Sequence, residues 1–132
     1  MNNKNVKILV IEDDEYSRDA LAHLLVSEGY EAQSASDGES GLAKAQEIHP
    51  HVIVLDLNLP GIDGKQVIEM IRNDGPLRSV PILIITGDEA KAAQAAVDLG
   101  ADGYLTKPLE FDDLINAISS LKSRPDRRKL IA

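Results

Sequence analysis

Residues 51–64 read HVIVLDLNLPGIDG. Val52 to Leu55 form an unbroken, mostly β-branched apolar run, the pattern of a strand covered on both faces. The run ends on a carboxylate, Asp56, and the chain then breaks at Pro60, Gly61 and Gly64. Strands buried on both faces belong to parallel sheets flanked by helices, so strand and helix should alternate on either side of this stretch.

They do. Lys7 to Ile11, Tyr30 to Ser34, Ile82 to Ile85 and Tyr104 to Leu105 read as four further strands, the second and fifth less apolar than the others. The segments between them read as helices. Glu15 to Glu28 sets Ala20, Leu21, Leu24 and Leu25 on one stripe, with Gly29 as its terminator. Glu39 to Ile48 follows the capping pair Ser36-Asp37 and stops at Pro50. Lys65 to Asn73 turns Val67, Ile68 and Ile71 inward, and Asp88 to Leu99 ends at Gly100. Glu110 to Leu121 carries Phe111, Leu114, Ile115 and Ile118 at helical spacing. Five βα repeats with right-handed crossovers give an α/β fold: a five-stranded doubly wound parallel sheet, order 2-1-3-4-5, in a three-layer flavodoxin-like sandwich.

The chain of 132 residues fits one domain, expected over 1–123, with 124–132 (RPDRRKLIA) as a polar basic tail or the start of a linker. The absence of cysteine excludes disulfides, thiolate catalysis and cysteine-based zinc sites. A net charge of -8 argues against nucleic acid or an anionic membrane as the ligand. The N-terminal run is too short for a signal peptide or a membrane span, so a cytoplasmic location is expected.

In such a sheet, ligands bind beyond the carboxyl ends of the strands, near the switch point between the first and third. The first strand delivers Glu12-Asp13-Asp14 to that rim, the third Asp56, the fourth Thr86, and the fifth Thr106-Lys107-Pro108. Carboxylates a few ångströms apart repel by roughly 3–4 kcal/mol per pair at an effective dielectric near 20. A hard divalent cation removes the conflict. Mg²⁺ takes oxygen ligands, typically one or two carboxylates beside a phosphate. Asp13 and Asp56 are the expected direct ligands, with Glu12 acting through water. Lys107 suits a phosphoryl oxygen, and the Thr86 hydroxyl can donate to another. An aspartate nucleophile in this company is suited to forming an acyl phosphate. Each residue alone also has a bland reading: acids favour a helix's first turn, and Lys107, Thr86 and Asp56 each fit an ordinary strand end or loop. It is their convergence that points to chemistry.

ILVIEDDE, VIVLDLNLPGIDG, ILIITG and GYLTKP, in this order and spacing, resemble the receiver domain of two-component response regulators (CheY-like), over about Lys7 to Leu121. The resemblance implies that Asp56 accepts a phosphoryl group from the phosphohistidine of a sensor histidine kinase or a histidine phosphotransfer protein. It implies an acidic pair in Glu12 and Asp13, with Asp13, Asp56 and the backbone carbonyl of Asn58 on Mg²⁺. Thr86 becomes the switch hydroxyl, Tyr104 the aromatic rotamer switch, Lys107 the phosphate-binding lysine, and Lys107-Pro108 a cis peptide. Glu12 replaces the aspartate of many members. Asn58 and Asp88 occupy positions that tune dephosphorylation in the family, and they imply a short phosphoryl lifetime. The expected partners are the kinase or phosphotransfer protein, a downstream output protein or domain, and a phosphorylation-dependent second copy.

The segment from Gly87 to Tyr104, whose Ala-rich helix has Val97 and Leu99 as its only large apolar anchors, is the expected bistable element; the other reading of the alanines is that they permit close helix packing. His23, His49 and His51 form no ligand set, Tyr16 and Tyr30 read as packing or surface residues, and Gly61 and Gly64 as turn formers. Two other classes compete. An aspartate-nucleophile phosphohydrolase of the haloacid dehalogenase type normally has a second acid where Asn58 stands, and it needs room for a cap domain. A flavin or dinucleotide domain needs a glycine-rich phosphate loop where this chain has EDDE. The receiver is either a stand-alone regulator or a module of a longer hybrid kinase or transcriptional regulator. The segment LEFDDLINAISSLKSR lacks an arginine-rich final helix, which favours the first or a hybrid-kinase origin.

Overall fold

The structure is a computed structural model and describes residues 3–123; the expected basic tail lies outside the described residues. Five parallel strands, β1 (Lys7–Ile11), β2 (Glu31–Ala35), β3 (Val52–Asp56), β4 (Ile82–Thr86) and β5 (Gly103–Thr106), pair in the order β2-β1-β3-β4-β5. Helices α1 (Glu15–Ser27), α2 (Gly38–Ile48), α3 (Gly64–Arg72), α4 (Glu89–Leu99) and α5 (Phe111–Lys122) connect them, with a 3₁₀ turn at Gly75–Leu77 before β4.

Alternation along the central strands sorts the core into two layers. Leu9, Ile11, Ile53, Leu55, Ile82 and Ile84 face one side, against Val67, Ile68 and Ile71 of α3 and Ala92 and Ala95 of α4. Ile8, Val10, Val52, Val54, Leu83 and Ile85 face the other, against Leu21 and Leu25 of α1 and Leu114, Ile118 and Leu121 of α5. Successive side chains point to opposite faces, so a strand covered on both has no position for a polar residue. The edge strands β2 and β5 are only partly covered, which is why their sequences are mixed.

Four helices start on an aspartate. Asp14, Asp37, Asp63 and Asp88 accept from the backbone amides of Ser17, Ser40, Gln66 and Lys91, each satisfying an otherwise orphaned donor. The amides of Ser17 and Ser40 hold the Asp14 and Asp37 carboxyls below the usual range. Asp63 forms a reciprocal capping box with Gln66. Much of the acidity at the carboxyl-end rim is therefore capping.

Several expectations about faces need correction. Val97 is 82% exposed and is no anchor for α4; the burial falls on Ala92 and Ala95, and Leu99 packs at the margin of the core. Phe111, expected inward, opens α5 at 52% exposure, and Ala20 is likewise exposed. Gly64 serves close approach instead of turn geometry: a Cβ there would meet the Leu57 Cα at 2.5 Å and the Asp56 carbonyl oxygen at 2.8 Å. His51 also has a structural task, its Nδ1 accepting from the Lys7 amide at 3.0 Å.

One ion pair ties the opposite rim together. Arg72, the last residue of α3, donates to the carbonyls of Gly100 (2.8 Å), Arg78 (3.0 Å) and Val80 (2.8 Å) and to Asp102 Oδ2 at 3.0 Å. The same Asp102 oxygen accepts from the Ile82 amide at 2.8 Å. Three segments, the end of α4 and the starts of β4 and β5, are thus joined through one guanidinium.

Candidate functional site

Ile11 lies opposite Leu55 in the β1–β3 register, so the next residues along, Glu12 and Asp56, stand side by side at the rim. Both are buried, at 0% and 3% exposure. Burying two neighbouring carboxylates is costly without a cation or a proton. Lys107, just beyond β5, supplies the cation: its Nζ donates to Glu12 Oε1 at 2.8 Å and to Asp56 Oδ2 at 2.9 Å. The Lys107–Pro108 peptide bond is cis. The second Asp56 oxygen, Oδ1, accepts from the Asn58 amide at 2.9 Å.

Among the described residues, Glu12 Oε2 is buried with no hydrogen-bond partner. Burial foremost, and then the neighbouring Asp56 carboxyl outweighing the Lys107 ammonium, raise the Glu12 pKa to about 7. For Lys107, burial disfavours the ammonium, yet its bonds to Glu12 and Asp56 prevail and its pKa is raised.

Asp13 is exposed, and one oxygen each of Glu12, Asp13 and Asp56 lie within 4.8 Å of one another. Three hard oxygen donors, one from a carboxylate with an orphaned atom, fit a Mg²⁺ ion, and these residues can hold one. Thr86 is fully buried at the end of β4, its Oγ1 accepting from the Asp88 amide at 3.3 Å, which leaves the hydroxyl proton to be donated.

Seven of the residues singled out from the sequence, Glu12, Asp13, Asp56, Asn58, Thr86, Lys107 and Pro108, stand at the carboxyl ends of four adjacent strands. Tyr104 stands apart. It sits within β5 at 37% exposure and borders a cavity with Leu83, Ala117 and Leu121, while Thr86 lies opposite Thr106.

Two contributors were not legible as such. Arg18 donates to the carbonyls of Glu12 (3.0 Å) and Asp13 (3.2 Å), pinning the backbone that presents both acids. Gly64 lets α3 start against the β3 end. An arginine one turn into a helix and a glycine after an aspartate are too common for either to stand out.

The family model of the response regulator receiver domain matches residues 8–119. The chain belongs to that family, the receiver domains of two-component signalling. Among curated proteins it is 36% identical over 122 residues to the DNA-binding dual master transcriptional regulator RpaA of Synechocystis, covering 92% of this chain and 51% of that one. It is 35% identical over 119 residues to the transcriptional regulatory protein PcoR of Escherichia coli, covering 89% and 52%. The chain thus spans about half the length of these curated relatives. Among solved structures, the chemotaxis protein CheY4 of Vibrio cholerae superposes with a TM-score of 0.83 at 31% identity, over 88% of this chain and 98% of that one. The receiver domain of a sensor histidine kinase from Pseudomonas aeruginosa PAO1, solved with a magnesium ion coordinated in its active-site cleft, gives 0.83 at 25% identity, over 89% and 98%. Among the described residues no helix is long and apolar enough to cross a membrane.

Proposed function

We propose that this receiver domain takes a phosphoryl group on Asp56 from the phosphohistidine of a sensor kinase or phosphotransfer protein, with Mg²⁺ held by Asp13, Asp56 and the Asn58 carbonyl and by Glu12 through water. The observation that carries this is the bridge of Lys107 to both Glu12 and Asp56, beside a buried carboxylate oxygen left without a partner. In the transfer, an Asp56 carboxylate oxygen bonds to phosphorus as the donor's P–N bond breaks, the imidazole keeping the electron pair; with an acyl phosphate, the P–O bond breaks and a carboxylate leaves. Lys107 turns from the carboxylates to a phosphoryl oxygen, and Thr86 donates its hydroxyl to another. Mg²⁺, when bound, supplies neutralisation of the charge gathered on these oxygens.

Phosphorylation adds roughly -1.5 to -2 charges at this rim. The switch then runs from the Thr86 hydroxyl, drawn toward the phosphoryl group, to Tyr104, which moves inward. Helix α4 follows, since its fully buried side chains are alanines and little area resists its repacking. The outcome is altered binding of an output protein, an output domain or a second copy.

A second reading, a receiver module within a longer transcriptional regulator or hybrid kinase, is favoured by the matching of this chain to about half of its curated relatives. The chemistry at Asp56 is the same in both. Incubation with acetyl phosphate and Mg²⁺ is expected to load about one phosphoryl group per chain, and excess EDTA to abolish loading. Undiminished loading in EDTA would count against the metal.

A further inference from the structure

Among the described residues, four cations stand in the first helical turns and loops of the carboxyl-end rim: Arg18, Lys65, Lys91 and Lys107. Lys107 is held by Glu12 and Asp56, and Arg18 by two backbone carbonyls. Lys65 in α3 and Lys91 in α4 are exposed, and their ammonium groups make no hydrogen bond or ion pair among the described residues. The two lysines nevertheless share one cavity of about 290 Å³, whose other walls are Leu57, Asn58, Leu59 and Asp63. The Asp63 carboxylate is committed to capping α3. One of these walls, Asn58, donates its backbone amide to Asp56 Oδ1 at 2.9 Å, so a single residue links the cavity to the acceptor carboxylate.

The charge balance gives the pair a task. The chain carries a net charge of -8, and Glu12, Asp13, Asp14, Asp56, Asp88 and Glu89 gather at or next to the strand ends on this rim. A dianionic phosphodonor approaching Asp56 meets that field before it meets Lys107. Two uncommitted ammonium groups on the neighbouring cavity lower the barrier to encounter, and exposed charges of this kind act over about a Debye length, roughly 10 Å at 0.1 M salt.

We propose that Lys65 and Lys91 form a cationic approach that draws small dianionic phosphodonors, acyl phosphates by chemical class, toward Asp56. The proposal rests on Asp56 being the acceptor. Lys107 acts on the transferring group once it is in place; Lys65 and Lys91 act earlier, on arrival. They therefore set how fast the protein is labelled and how steeply salt slows labelling, and leave the rate of phosphoryl loss unchanged.

The test uses the intact chain, acetyl phosphate at low concentration, and saturating Mg²⁺. At low ionic strength a Lys65→Gln/Lys91→Gln protein is expected to be labelled roughly 3- to 10-fold more slowly than the parent, with the gap closing near 0.5 M salt. A Lys65→Arg/Lys91→Arg protein, which keeps both charges, should retain the parent rate, and all three should lose the phosphoryl group equally fast once the donor is removed. Equal rates for the parent and the glutamine variant at low salt overturn the proposal, as does a gap that persists undiminished at high salt. A parent that takes up no label at all overturns the Asp56 reading and this proposal together. A parent that labels beside an indifferent variant sinks this proposal alone.

Discussion

A Lys107→Met protein is expected to take up phosphoryl groups from acetyl phosphate about 10²–10³ times more slowly than the parent, the usual cost of deleting one preorganised donor aimed at developing charge. Methionine keeps most of the apolar stem and removes the ammonium, which now sits 2.8 Å from Glu12 and 2.9 Å from Asp56. In the ground state that ammonium balances two buried carboxylates. During transfer the same charge is needed on the phosphoryl oxygens, next to the two buried carboxylates it now balances. The rate is read from single-turnover labelling, with a thermal melt as the check on folding. Labelling within about threefold of the parent, far below the deficit expected for a lost charge-stabilising donor, would remove Lys107 from the chemistry.

Asp102→Ala is expected to lower stability by about 3 kcal/mol, the low end for removing one partner of a buried ion pair. The Asp102 side chain is 4% exposed and the Arg72 side chain 19%, so solvent replaces the lost carboxylate poorly. The Ile82 amide loses the same acceptor. With a slope near 1.5 kcal/mol per molar urea, the unfolding midpoint should fall by roughly 2 M. The pair stands at the opposite end of the sheet from Asp56, so the folded variant should still label. A double Arg72→Met/Asp102→Leu protein should recover much of the loss, because apolar replacements leave no charge buried alone. A single-variant loss below about 1 kcal/mol would show that water or neighbouring groups already share the guanidinium.

The residues differ in how far the sequence disclosed them. β1, β3 and β4 were legible because two-sided burial leaves a run of β-branched residues with no alternation, and their acidic ends followed from the strand boundaries. The division of labour within Glu12-Asp13-Asp14 was not: Asp14 caps α1, Asp13 stays exposed and Glu12 is fully buried, and only register and backbone direction separate them. Val97 misled because apolarity in a helix of alanines looks like an anchor, whereas the alanines pack inward where the helix lies close to the sheet. Arg72 and Asp102, thirty positions apart, obey no periodicity and became partners only through the fold.

Every step proposed at this rim depends on Asp56 carrying the phosphoryl group. The measurement closest to it is the mass of the intact protein and of its peptides after incubation with acetyl phosphate and Mg²⁺, run beside an Asp56→Asn protein. The expected result is the mass of one phosphoryl group on the parent, confined to the peptide containing Asp56, and none on the variant. Equal uptake by the Asp56→Asn protein, or label on a peptide that excludes Asp56, would contradict it.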